Sequence, residues 1–247
     1  MFAKLFSREW LLSTILVIAA SGVMARLGVW QLDRLEQRRS FNVRVVDQIE
    51  GGTVDINSQG LGESLFDMEF RPAVVRGEYI LGKHILLTNQ VSGIELGSHV
   101  LTPLQIDGSP QVILVNRGWV SADINTNEQL DGLTPAGTVE LEGIIRRSQT
   151  EPPLNLQADA PLSPGEAYRL KWRLANLGEI EKQIPGVDTS VFFQIKANFD
   201  VDAVPLPQQP EIEITEGPHL GYAIQWFIFS LLVLAGYPVF VRKQSQK

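Results

Sequence analysis

The chain has 247 residues and no cysteine. That excludes a disulfide framework, a thiolate metal site and a cysteine nucleophile. Histidine is scarce: the three are His84, His99 and His219. The familiar catalytic signatures are missing as well. There is no HExxH, no GxSxG, no phosphate loop and no dinucleotide fingerprint. The carboxylates are scattered and none forms an obvious pair, so the residues point away from an enzyme. Basic residues are outnumbered, with 21 Lys and Arg against 28 Asp and Glu and a net charge of −7. Binding to nucleic acid needs a basic surface, so nucleic acid is not the expected partner. No internal repeat is present.

Charge is also scarce in two long apolar stretches, and these organise the chain. One runs from Trp10 to Trp30, the other from His219 to Val241. Each approaches or reaches the ~20 residues that a helix needs to cross a bilayer core. The expected layout is a cytoplasmic N-terminus at 1–9, a first transmembrane helix at 10–30 and an extracytoplasmic domain at 31–217. A second transmembrane helix follows at 218–241 and a cytoplasmic C-terminus at 242–247. Orientation comes from the second span, with Glu211, Glu213 and Glu216 before it and Arg242, Lys243 and Lys247 after it. Positive flanks stay inside, which puts both termini in the cytoplasm. The first span is ambiguous. Lys4 and Arg8 precede it, but Arg26, Arg34, Arg38 and Arg39 follow and taken alone argue the reverse. Val23-Met24-Ala25 loosely resembles a signal-peptide cleavage site. The apolar run resumes at Leu27-Gly28-Val29-Trp30, however, and Trp30 suits an interface anchor, so an uncleaved span is the better reading.

Between the spans the pattern is β. Strands are expected at Ala73–Leu81, His84–Thr88, His99–Ile106, Gln111–Asn116, Thr138–Ile145 and Ser190–Ala197, with turns at Leu81-Gly82 and Asp107-Gly108. Short strands at this spacing suggest a small antiparallel barrel or sandwich, the barrel being preferred, with one or two helices. Leu174, Leu177, Ile180 and Ile184 fall at helical spacing, which predicts an amphipathic helix over Trp172–Ile184. Residues 148–165, with Pro152, Pro153, Pro161 and Pro164, read as an irregular loop. Pro205–Pro210 should be extended.

His84 and His99 fall inside expected strands, where a lone histidine is usually a packing residue. Asn116-Arg117-Gly118-Trp119 reads as a polar-aromatic turn closing the QVILVN strand. Arg117 either pairs with a carboxylate there while Trp119 packs, or the turn is functional. His219 follows Pro218 and belongs in the first turn of its helix. A histidine at a membrane interface is costly enough to need a reason. Tyr222 and Trp226 lie three and seven residues further on, on the same face. These three residues either pack the two helices together or form a site.

Four blocks resemble one family. Leu27-Gly28-Val29-Trp30-Gln31-Leu32-Asp33-Arg34-Leu35 is similar to the LGxWQxxRL signature of the Surfeit locus protein 1 family. Arg71–Tyr79, reading RPAVVRGEY, looks like its first strand block. Val115–Val120 matches VNRGWV, and His219–Phe227 is similar to HLxYAxxWF. The blocks occur in the family's order and span nearly the whole chain. Residues 148–200 match poorly, and Gly217-Pro218 stand where the family often has asparagine before the histidine.

The resemblance implies an assembly factor for cytochrome c oxidase that binds haem a and helps its insertion into the oxidase catalytic subunit. It would be a chaperone in the bacterial-type inner membrane, serving respiratory chain biogenesis. Its partners would be that subunit, membrane lipid and, in some contexts, haem a synthase. His219 would then be an axial ligand to the haem iron. Tyr222 and Trp226 would pack on the porphyrin, and Arg26 would meet the propionates. The alternative is a membrane scaffold that binds oxidase subunits or haem synthase without carrying haem.

Overall fold

The computed structural model describes residues 5–152, 158–163, 165–197, 203–208 and 212–244. Lys4, Pro153, Pro164, Pro210, Glu211 and Lys247, all used above, lie outside the described residues. The chain forms two compact units, Met1–Arg44 with Ile212–Lys247, and Val45–Glu211.

The first unit is a helix pair. Helix α1 runs over Leu11–Ile49, 39 residues, and does not stop at Trp30. Both helices are long and apolar enough to cross a membrane. Little of their apolar surface is covered. Leu12, Leu16, Leu231 and Leu232 are each 60–69% exposed. Water would penalise such a surface, whereas lipid would not.

The second unit opens with β1 (Val54–Asp55) and two single turns of helix, α2 (Ile56–Gln59) and α3 (Glu63–Phe66). Then come β2 (Pro72–Tyr79), β3 (Ile85–Ser92), β4 (Glu95–Ile106) and β5 (Val112–Ser121). The helix α4 (Asn127–Gly132) precedes β6 (Thr138–Arg147) and β7 (Lys171–Trp172). The unit ends with α5 (Leu177–Ile180) and β8 (Val191–Ile195). The first unit resumes with α6 (His219–Gln244).

All six expected strands are present, with shifted ends. The sheet is mixed where an antiparallel one was expected, because β1–β2, β3–β7 and β5–β8 are parallel pairs. Its order is β1-β2-β6-β8-β5-β4-β3-β7, and β2 also bonds β4. The pairings therefore run in a circuit through β2, β6, β8, β5 and β4.

Two apolar clusters explain the composition of the strands. Ile113 and Val115 of β5 join Val75, Leu104, Ile145 and Phe193 in one core. Val112 and Leu114, pointing the other way, join Ile85, Leu87, Leu101 and Phe192 in another. A strand buried on both faces needs a continuous apolar run rather than alternation, and QVILVN supplies it.

Three expectations need correction. The helix over Trp172–Ile184 shrinks to Leu177–Ile180. Trp172 is taken into β7 beside β3, and the Asn176 side chain accepts from the Glu179 N–H and starts the turn only there. Leu174, Leu177, Ile180 and Ile184 are all buried, so the apolar positions are right and only the length is wrong. The unit also holds four short helices among its described residues, not one or two. Third, Asn116–Trp119 is not a turn after a strand. It lies within β5, where the register against β4 slips between Val100 and Leu101. Arg117 is the extra residue of this bulge, and a bulge re-aims a side chain.

Among the described residues, no strand or helix falls in 148–152, 158–163 or 165, as the loop reading required. Leu206 makes an antiparallel bridge with Trp119. The helix and strand assignments of residues 209–210 lie outside the described residues.

Candidate functional site

The two long helices meet along one seam. Trp10 meets Phe240 edge-on, with centroids 6.1 Å apart. The Thr14 and Tyr237 hydroxyls are 3.0 Å apart, and Ser230 Oγ donates to the Ser21 carbonyl at 2.9 Å. Gly28 faces Phe227, and Gln31 faces His219. Rising numbers on α1 meet falling numbers on α6, so the helices run antiparallel. Small residues at Ser21, Gly28, Ala223 and Ser230 let the backbones approach, as helices do in lipid.

This contact yields a test. A Cβ on Gly28 would come within 2.7 Å of the Phe227 ring. Gly28→Leu should therefore splay the pair. In a Ser21→Cys, Ser230→Cys background the chain has only those two thiols, and oxidative cross-linking should fall several-fold when Gly28→Leu is added. An unchanged yield would mean that Gly28 does not set the approach.

His219 is the first residue of α6, as Pro218 predicted. Its Nδ1 is 2.9 Å from Gln31 Oε1. An amide oxygen only accepts, so the Nδ1–H donates to it and Nε2 is the ring nitrogen left outside that bond. Among the described residues Nε2 has no hydrogen-bond partner. Gly217, at φ 66°, lies beside that edge of the ring; a Cβ there would sit 3.6 Å from Nε2. An imidazole held by one nitrogen and open at the other is the usual state of a metal-binding histidine.

Tyr222 is 49% exposed and Trp226 is half-buried against Phe229, with centroids 6.2 Å apart. Both flank the seam rather than filling it, because Ala223 and Ser230 hold the buried positions. Arg26 is exposed, 4.0 Å from the Asp33 carboxylate, and lies five residues before Gln31 on α1. It does not touch His219.

Sequence reading missed Gln31, although it sits in the quoted WQ block. The signal was a single amide at the junction of an apolar run and a charged helix. It also missed the role of the next arginines. Arg38 donates to the carbonyls of Glu213 and Thr215, and Arg39 forms a forked pair with Glu216 at 2.8 and 3.0 Å. These bonds fix the segment that leads into His219. Glu216 is held below, and Arg39 above, its ordinary range, first by their mutual hydrogen bonds.

In the β unit, His84 lies just before β3 rather than inside it and is wholly buried. Its Nε2 is 2.8 Å from Asp131 and its Nδ1 2.9 Å from the Thr102 hydroxyl. Thr102 is fully buried too, so its hydroxyl is closed off from solvent. Arg117 meets no carboxylate among the described residues. It donates to Thr134 Oγ1 at 2.6 Å and to the Leu133 carbonyl, and lies over the Tyr79 ring, 5.2 Å from its centre. Burial lowers its pKa.

The four sequence blocks thus fall on α1, β2, β5 and α6, and the first and last meet at the Gln31–His219 bond. The SURF1 family matches this chain over residues 18–231. The chain belongs to the SURF1 family. Its relatives are distant, and the matches span most of this chain and about two thirds or more of theirs. A SURF1-like protein of Caenorhabditis briggsae is 23% identical over 92% of this chain and 74% of its own length. Surfeit locus protein 1 of Xenopus tropicalis is 24% identical over 89% of this chain and 71% of its own. A SURF1-like protein of Rickettsia bellii (strain RML369-C) is 23% identical, covering 91% and 89%.

Proposed function

We propose that this SURF1-family chain is a membrane-anchored assembly factor for cytochrome c oxidase, and that its helix pair binds haem a through His219. The observation that carries the reading is the bond between His219 Nδ1 and Gln31, which leaves Nε2 able to ligate. The haem would supply an iron centre for that nitrogen and two propionates for a basic side chain. Arg26 serves for the latter, because an exposed pair with Asp33 at 4.0 Å is weak enough to exchange. The exposed faces of Tyr222 and Trp226 give an apolar edge beside His219. Delivery to the oxidase catalytic subunit, and contact with haem a synthase, belong to the same proposal.

The membrane would be an inner, plasma-type membrane with both termini cytoplasmic. The last turn of α6 carries Arg242 and Lys243, as the positive-inside rule requires. Of the conflicting arginines after the first span, Arg39 is paired with Glu216 and Arg38 donates to the carbonyls of Glu213 and Thr215.

Protein purified in detergent from cells that make haem a should carry a haem spectrum. His219→Ala should abolish or strongly alter it while the protein stays inserted. Gln31→Ala removes only the acceptor behind the ring and should weaken occupancy roughly ten- to a hundredfold, the usual cost of losing such a support. A wild-type spectrum in His219→Ala would make His219 a packing residue. Oxidase subunits copurifying with haem-free wild-type protein would favour the scaffold instead.

A further inference from the structure

The β unit contains a cavity of about 290 Å³, lined by side chains from β3, β4, β5, β6 and β8 and, outside the strands, by Gln149, Arg173 and Gln208. Its chemistry is unlike the two apolar cores beside it. Two guanidinium groups, Arg146 and Arg173, one imidazole, His99, and five side-chain amides face it. Among the described residues no carboxylate lines it.

These polar groups are deep. Asn116 is 4% and Gln194 3% exposed, in strands whose neighbours are apolar. Burying amides costs more than burying methyl groups unless they are bonded. Here they are bonded to each other in a chain. Arg146 Nη1 donates to Gln194 Oε1 at 3.2 Å, and Gln194 donates onward to the Gln208 carbonyl at 2.5 Å. Gln208 Oε1 lies 3.3 Å from His99 Nε2, and His99 Nδ1 lies 3.4 Å from Asn116 Nδ2.

The backbone sets the polarity of this chain. The Gly118 N–H donates to Asn116 Oδ1 at 3.0 Å, so Asn116 must turn its NH₂ to His99. His99 then accepts at Nδ1 and donates at Nε2, which makes it neutral. Burial holds its pKa below the ordinary range. The positive charge of the cavity therefore comes from its arginines. Arg146 is ion-paired through Nε, at 3.6 Å, with Glu69, a carboxylate outside the lining, and its Nη1 turns to Gln194. Arg173 adds a second cation with an exposed side chain.

We propose that this cavity is a binding site for a small oxyanion, a carboxylate- or phosphate-bearing molecule, with Arg146 and Arg173 as its charge partners and the ordered amides fixing its orientation. At ~30 Å³ per water-sized group, the space suits about ten non-hydrogen atoms. The site is independent of the helix pair and of haem.

The full chain in detergent, in a chloride buffer, should be titrated by calorimetry with inorganic phosphate, with citrate and with glycerol. Saturable binding of at least one of the two anions is expected, and none of glycerol. Which anion binds separates the phosphate from the carboxylate class. Arg173→Gln should weaken that binding about tenfold, the worth of one charge-assisted hydrogen bond. Because its side chain is exposed, the thermal midpoint of the ligand-free protein should not move. Arg146→Gln should weaken binding further, and Arg173→Gln, being exposed, decides the matter where that buried substitution unfolds the unit. Failure of both anions to saturate would overturn the proposal. So would glycerol binding as well as the anions, or an affinity that Arg173→Gln leaves untouched.

Discussion

Gly118→Ala should lower the stability of the β unit by about 3 kcal/mol, which is roughly a 10 °C fall in midpoint for a domain of this size. Two penalties add. Gly118 sits at φ 118°, a conformation that side chains rarely adopt and that costs ~1–3 kcal/mol. A Cβ there would also lie 2.1 Å from the Leu206 carbonyl oxygen and 2.7 Å from Pro207 Cα. Both are backbone atoms and cannot swing aside. The neighbouring bridge, with Trp119 and Leu206 exchanging two 2.8 Å hydrogen bonds, must then open, at ~1 kcal/mol per bond. Gly132→Ala is the control, since a Cβ there meets nothing within 4 Å. Thermal unfolding of the full chain in detergent, followed by tryptophan fluorescence, makes the comparison. If Gly118→Ala unfolds within 1 °C of the wild type, residues 203–208 are not seated on β5.

The second expected result is a steep loss of stability in acid. Burial lowers the pKa of both His84 and His99, partly opposed by Asp131 in one case and Gln208 in the other. In the unfolded chain both titrate near 6.5. The native state resists protonation, so the unfolded state binds more protons as pH falls. Their contribution is fully present above about pH 6.5 and is lost below it. The slope approaches ~1.4 kcal/mol per pH unit for each histidine, roughly twice that for the two together.

Asp131 adds to the acid loss at lower pH. Burial raises its pKa, but bonds from the Gly82 N–H and His84 outweigh this and leave it lowered. At the alkaline end the phenols of Tyr79 and Tyr168 are pushed up by burial to about 12. They stay neutral when folded but ionise near 10 when unfolded, so stability falls again above about pH 10. Urea unfolding midpoints should form a plateau from about pH 7 to 10 with losses on both sides. His99→Gln should remove one histidine's share of the acid slope. A midpoint flat from pH 7 to 5 would mean that both imidazoles are accessible to protons when folded.

The legibility of this chain differs sharply between its two units. Apolar runs of membrane-spanning length depend on composition alone, so Trp10–Trp30 and His219–Val241 were readable directly. The six strands were readable because β-branched and aromatic residues cluster between glycine turns, and Gly82 and Gly108 do adopt the positive φ that those turns require. The position of His219 at a helix start followed from Pro218, because proline is favoured at the start of a helix, where its missing N–H costs nothing. Membership of the family was legible in four short blocks.

Local sequence failed wherever a residue's partner is far along the chain. The apolar spacing over Trp172–Ile184 specified a buried face, but pairing with β3 claimed Trp172 for a strand and left one turn of helix. Helical spacing describes burial, and both a helix and a strand-plus-turn can bury the same residues. Arg117 looked like half of an ion pair, yet a bulge turns it toward Tyr79, Leu133 and Thr134. Gln31 was one amide among many until α6 brought His219 within 2.9 Å of it, 188 residues away in sequence. The sequence by itself determined which segments are apolar, which are extended and where the chain turns, since these depend on neighbours within a few residues. Only the tertiary structure decided which nitrogen of His219 is open, which cation Glu216 neutralises and which amides share the cavity with Arg146. Those are set by contacts between residues tens to hundreds of positions apart, which no local pattern encodes.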